Sequence, residues 1–177
     1  QPDDAIHFLS TEECQRLLSA CSKSIRDTAL IRVFLHTGMR LSEAAALGVS
    51  DVTLGEAASV RIRRRTGRFD TISLTDKATT TALHQWLSER PSVSVAALFL
   101  SHYGRPLSKR AVQFLIAGYL QQALISGASV HTLRHTMAVH YAAQGMDAER
   151  IQEILGLSSM HQAEQYVLAS TERFAFC

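Results

Sequence analysis

Four polar segments of the sequence carry side chains that can act on a phosphate group. They are residues 37–43 (TGMRLSE), the arginine-rich residues 61–68, residues 131–135 (HTLRH) and Tyr166. A guanidinium presents a planar fork of donors to phosphate oxygens, an imidazole exchanges protons near neutral pH, and an activated phenol is a nucleophile. The residue types therefore point to anion binding and acid–base chemistry.

Each segment also has a structural interpretation. Arg40 could cap a helix or pair with Glu43, and His131 could bond to backbone groups at the start of a helix. Tyr166 could belong to the core face of an amphipathic helix. Taken singly the segments decide nothing, so their spacing and combination matter.

The spacing within HTLRH places side chains on one helical face. His131 and Arg134 are three residues apart, so they can grip one phosphate together. His131 and His135 are four apart, which also permits zinc ligation. The segment lacks the glutamate of a zinc-protease helix and no clear third ligand follows, so we favour the phosphate interpretation.

Arginine is concentrated in one part of the chain. Fifteen arginines stand against three lysines, and five of the arginines lie within residues 61–68. The pattern there has period two, which predicts a strand whose faces carry Val60, Ile62 and Arg64 on one side and Arg61, Arg63 and Arg65 on the other. Residues 66–67 (TG) predict a turn into a second strand at 69–74. This arginine hairpin suits an anionic partner, although a solvated charged face explains it about as well, and the net charge of +2 indicates no partner by itself.

The rest of the sequence predicts helices around this hairpin. Ser10 and Glu13 form a capping box for the first helix. Apolar residues at helical spacing, together with glycine stops, predict further helices at 25–36, from 39, and at 75–91, 108–127, 131–144, 147–155 and 160–171. With 177 residues, 46% of them hydrophobic, only 9 Gly and 3 Pro, we expect one compact domain over residues 1–177. Its fold class is mainly α with a small antiparallel β-sheet (α+β).

Composition also bears on location. No apolar run approaches the roughly 20 residues of a membrane helix, and the N-terminus has no signal-peptide pattern. Cys14 and Cys21 lie on one predicted helix roughly 10 Å apart, too far to bridge. Free thiols favour a reducing compartment, so we expect a cytoplasmic protein without a membrane partner.

The combination of motifs resembles a known family. The order TGMRLSE, then HTLRHTMAVHYAAQGMDAERIQEILGLSS, then Tyr166 is similar to the catalytic domain of the tyrosine recombinases, the phage-integrase and Xer-like family, over nearly the whole chain. The resemblance implies the recombinase catalytic-domain fold and a site-specific DNA strand transferase that needs no metal, nucleotide or other cofactor. It implies double-stranded DNA and further recombinase subunits, as a tetramer on DNA, as partners.

The resemblance also implies roles for particular residues. Arg40, His131 and Arg134 match the family's phosphate-binding and catalytic positions, Tyr166 matches the nucleophile, and Glu43 matches a supporting acidic position. The hairpin arginines become candidate DNA contacts: Arg61, Arg63, Arg64, Arg65 and Arg68. The expected chemistry leaves a 3′-phosphotyrosine and a free 5′-hydroxyl.

Two positions depart from the family pattern. Arg65 stands where the family usually has a lysine that protonates the leaving 5′-oxygen, and arginine with its pKa above about 12 is a poor proton donor. Leu157 stands where the family usually has a histidine or tryptophan that contacts the phosphate. His161, one turn further along, is a possible substitute for that contact. These departures bear on the efficiency of cleavage rather than on the fold.

Two alternative functions remain open. Residues 137–155 also suit a helix-turn-helix DNA-binding module without catalysis. The departures at Arg65 and Leu157 would also suit a catalytically degenerate, regulatory recombinase fold. We expect the family's N-terminal DNA-clamping domain to be absent from this chain, and the apolar residues 174–177 (FAFC) to pack into a groove of this subunit or of a partner.

Overall fold

The computed structural model describes residues 6–172. The chain forms eight α-helices and three strands in these residues, in the order α1 (Thr11–Cys21), α2 (Ile25–Thr37), α3 (Leu41–Ala45), β1 (Val52–Thr53), β2 (Ser59–Arg63), β3 (Phe69–Ser73), α4 (Lys77–Glu89), α5 (Lys109–Gln122), α6 (Val130–Ala143), α7 (Ala148–Leu155) and α8 (Met160–Glu172). The predicted fold class, mainly α with a small antiparallel sheet, is confirmed. None of the helices in residues 6–172 has the length and hydrophobicity of a transmembrane segment. The predicted packing of residues 174–177 lies outside the described residues.

The predicted helix boundaries rest on specific caps. Ser10 Oγ accepts from the Glu13 backbone N–H at 3.1 Å, and the Glu13 carboxylate accepts from the Ser10 N–H at 2.8 Å, so the capping box at α1 is confirmed. Gly38 ends α2 with a φ of 64°. A Cβ on Gly38 would lie 2.6 Å from Leu155 Cδ2, so this stop requires glycine both for its backbone conformation and for the contact with α7.

The three strands form one antiparallel sheet in the order β1-β2-β3. The predicted hairpin is β2 and β3, with Val60 opposite Ile72 and Ile62 opposite Asp70. Val60 and Ile62 are fully buried while Arg61 and Arg63 are exposed, so the predicted alternation of faces is confirmed. The two-residue strand β1 was not predicted, because so short a pairing leaves no periodic signal in the sequence.

The buried apolar side chains form two clusters, and α6 joins them. The larger cluster packs the sheet against α1, α2, α4 and α5 and includes Leu133 of α6. The smaller one holds residues of α6, α7 and α8, including Ala138, Leu155 and Tyr166. Because α6 is anchored in both clusters, the side chains at its N-terminal turns are held rigidly between them.

The two cysteines of α1 have different states. Cys21 is a buried free thiol, and burial raises its pKa above the usual value. Cys21 and Cys14 are therefore not joined, as their spacing predicted. Cys14 is disulfide-bonded, so the expectation of free thiols throughout is wrong for this residue.

Candidate active site

Arg134 is the most deeply buried arginine of the site's phosphate-binding candidates. It lies on α6, where its Nη1 donates to Gly38 O at 2.6 Å and its Nη2 donates to Leu155 O. Burial, followed by the positive charge of Arg40, lowers the pKa of Arg134 to about 10. The side chain therefore remains protonated at neutral pH, and a guanidinium has five N–H donors, so donors beyond these two bonds can serve an anion.

Arg40 is held at the start of α3 by Glu43 and by the end of α7. Its backbone N–H and its Nη1 donate to the two oxygens of the Glu43 carboxylate, at 2.8 and 3.4 Å, and its Nη2 donates to Gly156 O at 3.1 Å. Glu43 is almost completely buried, whereas the Arg40 side chain is 30% exposed. The predicted pairing of these two residues is present, and it leaves the Arg40 guanidinium facing solvent on one side.

A small cleft brings the candidate phosphate-binding side chains together. Its volume is about 80 Å³, and its polar lining is Arg40, Gln113, Ser129, His131 and Arg134. A cavity this small suits a single small group rather than a larger organic ligand. Two guanidiniums and an exposed imidazole thus line one small space, and the structure brings together His131 and Arg134, which the spacing placed on one helical face.

A second, larger cleft also has Arg40 in its lining. It has a volume of about 510 Å³ and is bordered by the hairpin turn and by the loop between α7 and α8, including Arg65, Arg68, Leu157 and Ser158. Arg40 therefore connects the small cleft to a groove with a largely basic rim. A groove of this kind suits the backbone of a nucleic acid.

The outer face of β2 presents arginines, as predicted, but not all of them are equally free. Arg61 donates to Asp51 at 3.0 Å, and its guanidinium lies 4.9 Å from the ring centre of Phe69. Arg68 pairs with Asp70 at 3.0 Å. Arg63 is exposed on the same face as Arg61. These side chains are accessible to an anionic partner.

The placement of Arg64 among the DNA-contacting residues needs correction. Its side chain is only 5% exposed and lies on the inner face of the hairpin with Val60 and Ile62. It donates to Asp70 at 2.7 Å, to Glu43 at 3.1 Å and to the carbonyl of Ile154. Arg64 contributes to the wall of the larger cleft, but its guanidinium is held by two carboxylates and a carbonyl of the protein, so it is not a freely exposed DNA contact.

Tyr166 lies in the protein interior in this structure. The ring is 1% exposed within the smaller apolar cluster, and its Oη is 2.6 Å from Nδ1 of His135. Burial raises the pKa of Tyr166 above 10, against the opposing effects of Arg134 and Arg40. The phenol is therefore protonated, and in this arrangement its side chain is enclosed away from solvent.

His135 is neutral at physiological pH because of its surroundings. Burial, followed by the charges of His131, Arg134 and His7, lowers the pKa of His135 to about 4. A neutral imidazole can share one proton with the Tyr166 phenol. The two rings also pack against each other, with their centres 5.5 Å apart.

The two departures from the family pattern have defined positions. Arg65 is exposed and borders the larger cleft together with Leu157, which is itself mostly buried. His161 is exposed on α8, where its Nε2 lies 3.5 Å from Gln165 Nε2. His161 is not among the described residues that line either cleft. The structure therefore does not place it where it could supply the phosphate contact that Leu157 cannot make.

The zinc and helix-turn-helix alternatives receive no support from the arrangement. Within residues 6–172, no group of three or more His, Cys, Asp or Glu side chains could hold a metal ion. The helix-turn-helix outline is present as α6 and α7, but α7 exposes Glu149 and pairs Arg150 with Glu153 at 2.8 Å. This helix therefore has no predominantly basic face for DNA.

Three features of the site went unpredicted. Gln113 of α5 lines the small cleft, and neither its type nor its spacing signals this. The contact of His135 with Tyr166 joins positions that are far apart in the sequence. The inward position of Arg64 did have a signal, because the period-two pattern placed it with Val60 and Ile62.

Comparison with known proteins gives a consistent result. A model of the phage integrase family matches residues 7–173. The chain is 32% identical over 162 residues to the tyrosine recombinase XerC of Herpetosiphon aurantiacus, and the match covers 89% of this chain and 52% of that protein. The chain thus spans about half the length of the curated relatives it matches.

Solved structures share the fold. The crystal structure of XerA recombinase superposes with a TM-score of 0.83 at 26% identity, covering 99% of this chain and 67% of that one. XerH site-specific recombinase, bound to palindromic difH substrate in a post-cleavage complex, superposes with a TM-score of 0.82 at 23% identity, covering 97% and 52%. At the latter identity the likeness concerns the fold alone.

Gly156 provides a stability test of the arginine arrangement. Its φ is 63°, and a Cβ there would lie 3.1 Å from Arg64 Nε, whereas Gly127 has a φ of 67° and open space around it. Gly127→Ala should cost about 1–2 kcal/mol for the left-handed backbone alone. We expect urea denaturation to show a larger loss for Gly156→Ala, because Arg64 must also shift. Equal losses of unfolding free energy in the two variants would contradict close packing of Arg64 against Gly156.

The state of His135 predicts a pH dependence of stability. Its folded pKa of about 4 lies below the unfolded value of 6.5, so its contribution to stability is present above pH 6.5 and is lost as the pH falls toward 4. We expect the difference in unfolding free energy between the parent protein and His135→Gln to shrink from about pH 7.5 to about pH 5, measured by denaturant titration. A difference that is constant over this range would show that His135 does not titrate as described.

Proposed function

The chain belongs to the phage integrase family, and we propose that it acts as the catalytic domain of a site-specific DNA recombinase. In this proposal residues 1–177 form a single catalytic domain that cleaves and rejoins strands through a 3′-phosphotyrosine. The observation that carries the proposal is the convergence of Arg40, His131 and Arg134 on one small cleft. That cleft opens beside a groove with a basic rim.

We assign Arg40 and Arg134 to the scissile phosphate. Each uses its two Nη atoms on protein acceptors, Glu43 and Gly156 for the former and Gly38 and Leu155 for the latter. A guanidinium has five N–H donors, so each side chain keeps donors suited to the non-bridging phosphate oxygens. Fixed donors of this kind stabilise the extra negative charge of the pentacovalent transition state, at about 10²- to 10³-fold in rate per donor.

The proposed step balances with the groups of this chain, the substrate and solvent water. Tyr166 Oη forms a bond to phosphorus while the bond from phosphorus to the 5′-oxygen breaks. The phenol proton passes to a base, a role for which His131 is suited because it is exposed in the same cleft. The leaving 5′-oxygen takes its proton from solvent water, because Arg65 is a poor proton donor. The reverse attack by another 5′-hydroxyl rejoins the strand, so the energy of the phosphodiester is retained.

Cleavage further requires Tyr166 to leave its buried position. Its hydroxyl bonds to His135 and its ring packs among residues of α6, α7 and α8. We therefore propose that the bound DNA or a neighbouring subunit stabilises a shifted α8, in which the hydroxyl reaches the phosphate. The observed arrangement then corresponds to a resting state whose nucleophile is protected.

The proposed partners follow from the same chemistry. Double-stranded DNA supplies the phosphates for the basic groove, and the related XerH recombinase forms a complex with its DNA substrate. Because each Tyr166 cuts one strand, exchange between two duplexes requires four nucleophiles. We accordingly propose a tetramer on DNA.

Covalent adduct formation tests the proposed function directly. The substrate is a nicked DNA with the bridging 5′-oxygen replaced by sulfur, whose lower pKa as a leaving group reduces the need for a proton donor. Because Arg65 is a poor proton donor, we expect a large acceleration over ordinary DNA, seen as a denaturant-resistant protein–DNA band. Tyr166→Phe should abolish the band, and Arg40→Met or Arg134→Met should reduce it strongly.

The same assay separates the alternatives. Arg65→Lys should narrow the difference between the sulfur and oxygen substrates. Equal and rapid cleavage of both by the parent protein would show that another group already acts as the acid. Absence of an adduct with any substrate, with DNA binding intact, would favour the degenerate, regulatory interpretation.

The basic groove predicts a salt dependence of DNA affinity. Replacing Arg63 and Arg65 with Gln should flatten the slope of log affinity against log salt by about 0.9 for each DNA phosphate that the variant no longer neutralises. The matched control replaces Lys23 and Arg105 with Gln, because Lys23 lines a different cleft and Arg105 is in the turn beside it. An unchanged slope in the first variant, or an equal change in both, would remove the hairpin from the DNA interface.

A further inference from the structure

We propose that Arg64 is a positioning residue that holds Arg40 outward, toward the substrate phosphate, by compensating the charge of Glu43. Arg64 itself is enclosed, whereas Arg40 is partly exposed at the clefts. The inference rests on the proposed function, and its cleavage assay tests both together. A second readout uses only contacts within the free protein and is independent of cleavage.

The three contacts of Arg64 connect three elements of the site. Its Nε donates to Asp70 of β3 at 2.7 Å, its Nη1 to Glu43 of α3 at 3.1 Å, and its Nη2 to Ile154 O at the end of α7. These acceptors lie in different directions around a planar group. A lysine ammonium, which is a single point on a flexible stem, cannot reproduce this span.

Glu43 forms ion pairs with two arginines, one partly exposed and one buried. Its Oε1 accepts from both Arg40 and Arg64, at 3.4 and 3.1 Å, and its side chain is only 2% exposed. A carboxylate enclosed to this degree requires a close positive partner. Arg64 makes the shorter contact from the interior, so Arg40 need not turn inward to neutralise Glu43.

Removal of the Arg64 guanidinium would therefore change the state of Arg40. With Glu43 left short of one partner, the Arg40 guanidinium would be drawn toward the carboxylate and away from the cleft. The hairpin would also lose its link from Asp70 to α3 and α7, and with it the placement of Arg65 in the cleft that Arg40 also lines. Both changes would weaken the interaction with phosphate, although none of the residues proposed to bind phosphate is replaced in the variant.

The experiment compares Arg64→Met and Arg64→Lys with a matched control, Arg90→Met. Arg90 is a half-buried arginine at the end of α4, held by carbonyls at 2.5 Å (Val95 O) and 2.6 Å (Ala97 O). It is not among the described residues that line the two clefts containing Arg40. All variants are assayed below their unfolding temperatures. The control thus separates a general loss of stability from a loss of positioning.

The first readout is the rate of adduct formation at saturating nicked DNA. We expect Arg64→Met to be slower by about 10- to 100-fold, by analogy with the loss of residues that orient the ligands of a metal ion. Arg64→Lys should recover only part of the rate, and Arg90→Met should match the parent. With a methylphosphonate at the scissile position, which lacks the charge that Arg40 meets, most of the difference between Arg64→Met and the parent should disappear. An equal loss on both substrates would indicate a merely structural role and overturn the proposal.

The second readout is the NMR signal of the Arg40 side chain in the free protein. We expect the Nε–H exchange rate and chemical shift of Arg40 to change in Arg64→Met and to remain unchanged in Arg90→Met. Unchanged Arg40 signals in Arg64→Met would overturn the proposal even if cleavage is slower. If the parent forms no adduct at all, the proposed function fails, and the Arg40 signals still decide whether Arg64 positions this residue.

Discussion

The site depends on how one short helix ends. The last carbonyls of an α-helix have no partner within the helix and lie at the negative end of its dipole. In α7 and its cap the carbonyls of three successive residues, Ile154, Leu155 and Gly156, accept from three different arginines, which are Arg64, Arg134 and Arg40 respectively. These arginines come from the hairpin, from α6 and from the start of α3. The end of α7 is therefore the common point at which the dispersed segments of the site meet.

Bringing three positive charges together costs free energy through repulsion. The structure offsets this repulsion to a different extent for each arginine. Arg64, which is enclosed beside Glu43, has two carboxylates, Glu43 and Asp70, as ion-pair partners. Arg134 has two carbonyl partners and shows the effect of burial and of Arg40 in its lowered pKa. Arg40 shares one carboxylate and remains partly exposed. The positive charge is thus least compensated on the side that faces the cleft, where a phosphate would relieve the repulsion.

The sequence was sufficient for features that depend on local rules. Capping at Ser10, the stop at Gly38 and the alternation of the hairpin follow from nearest neighbours along the chain, and all are present. The pattern also placed Arg64 on the apolar face, but the residue type led to its assignment as a DNA contact. Its burial depends on Glu43 and Asp70 and on the end of α7, and a buried charge can be predicted only when such partners are known. The disulfide state of Cys14 was missed for a similar reason, since spacing along α1 concerns only its relation to Cys21.

The proposed function requires Tyr166 to be both a core residue and a nucleophile. In this structure it is a core residue, because its ring is buried in the smaller apolar cluster and its hydroxyl is satisfied by His135. A buried phenol with a raised pKa stays protonated and is shielded from solvent, so it is a poor nucleophile in this arrangement. The cluster that holds it is small and separate from the larger core, and α8 contributes Ala163 and Tyr166 to it. Displacing α8 would expose Tyr166 and release its contact with His135 of α6, whereas Leu133 of α6 would stay packed in the larger cluster. In the proposed function, the division of the interior into two clusters allows one domain to hold both a protected nucleophile and a preformed phosphate site.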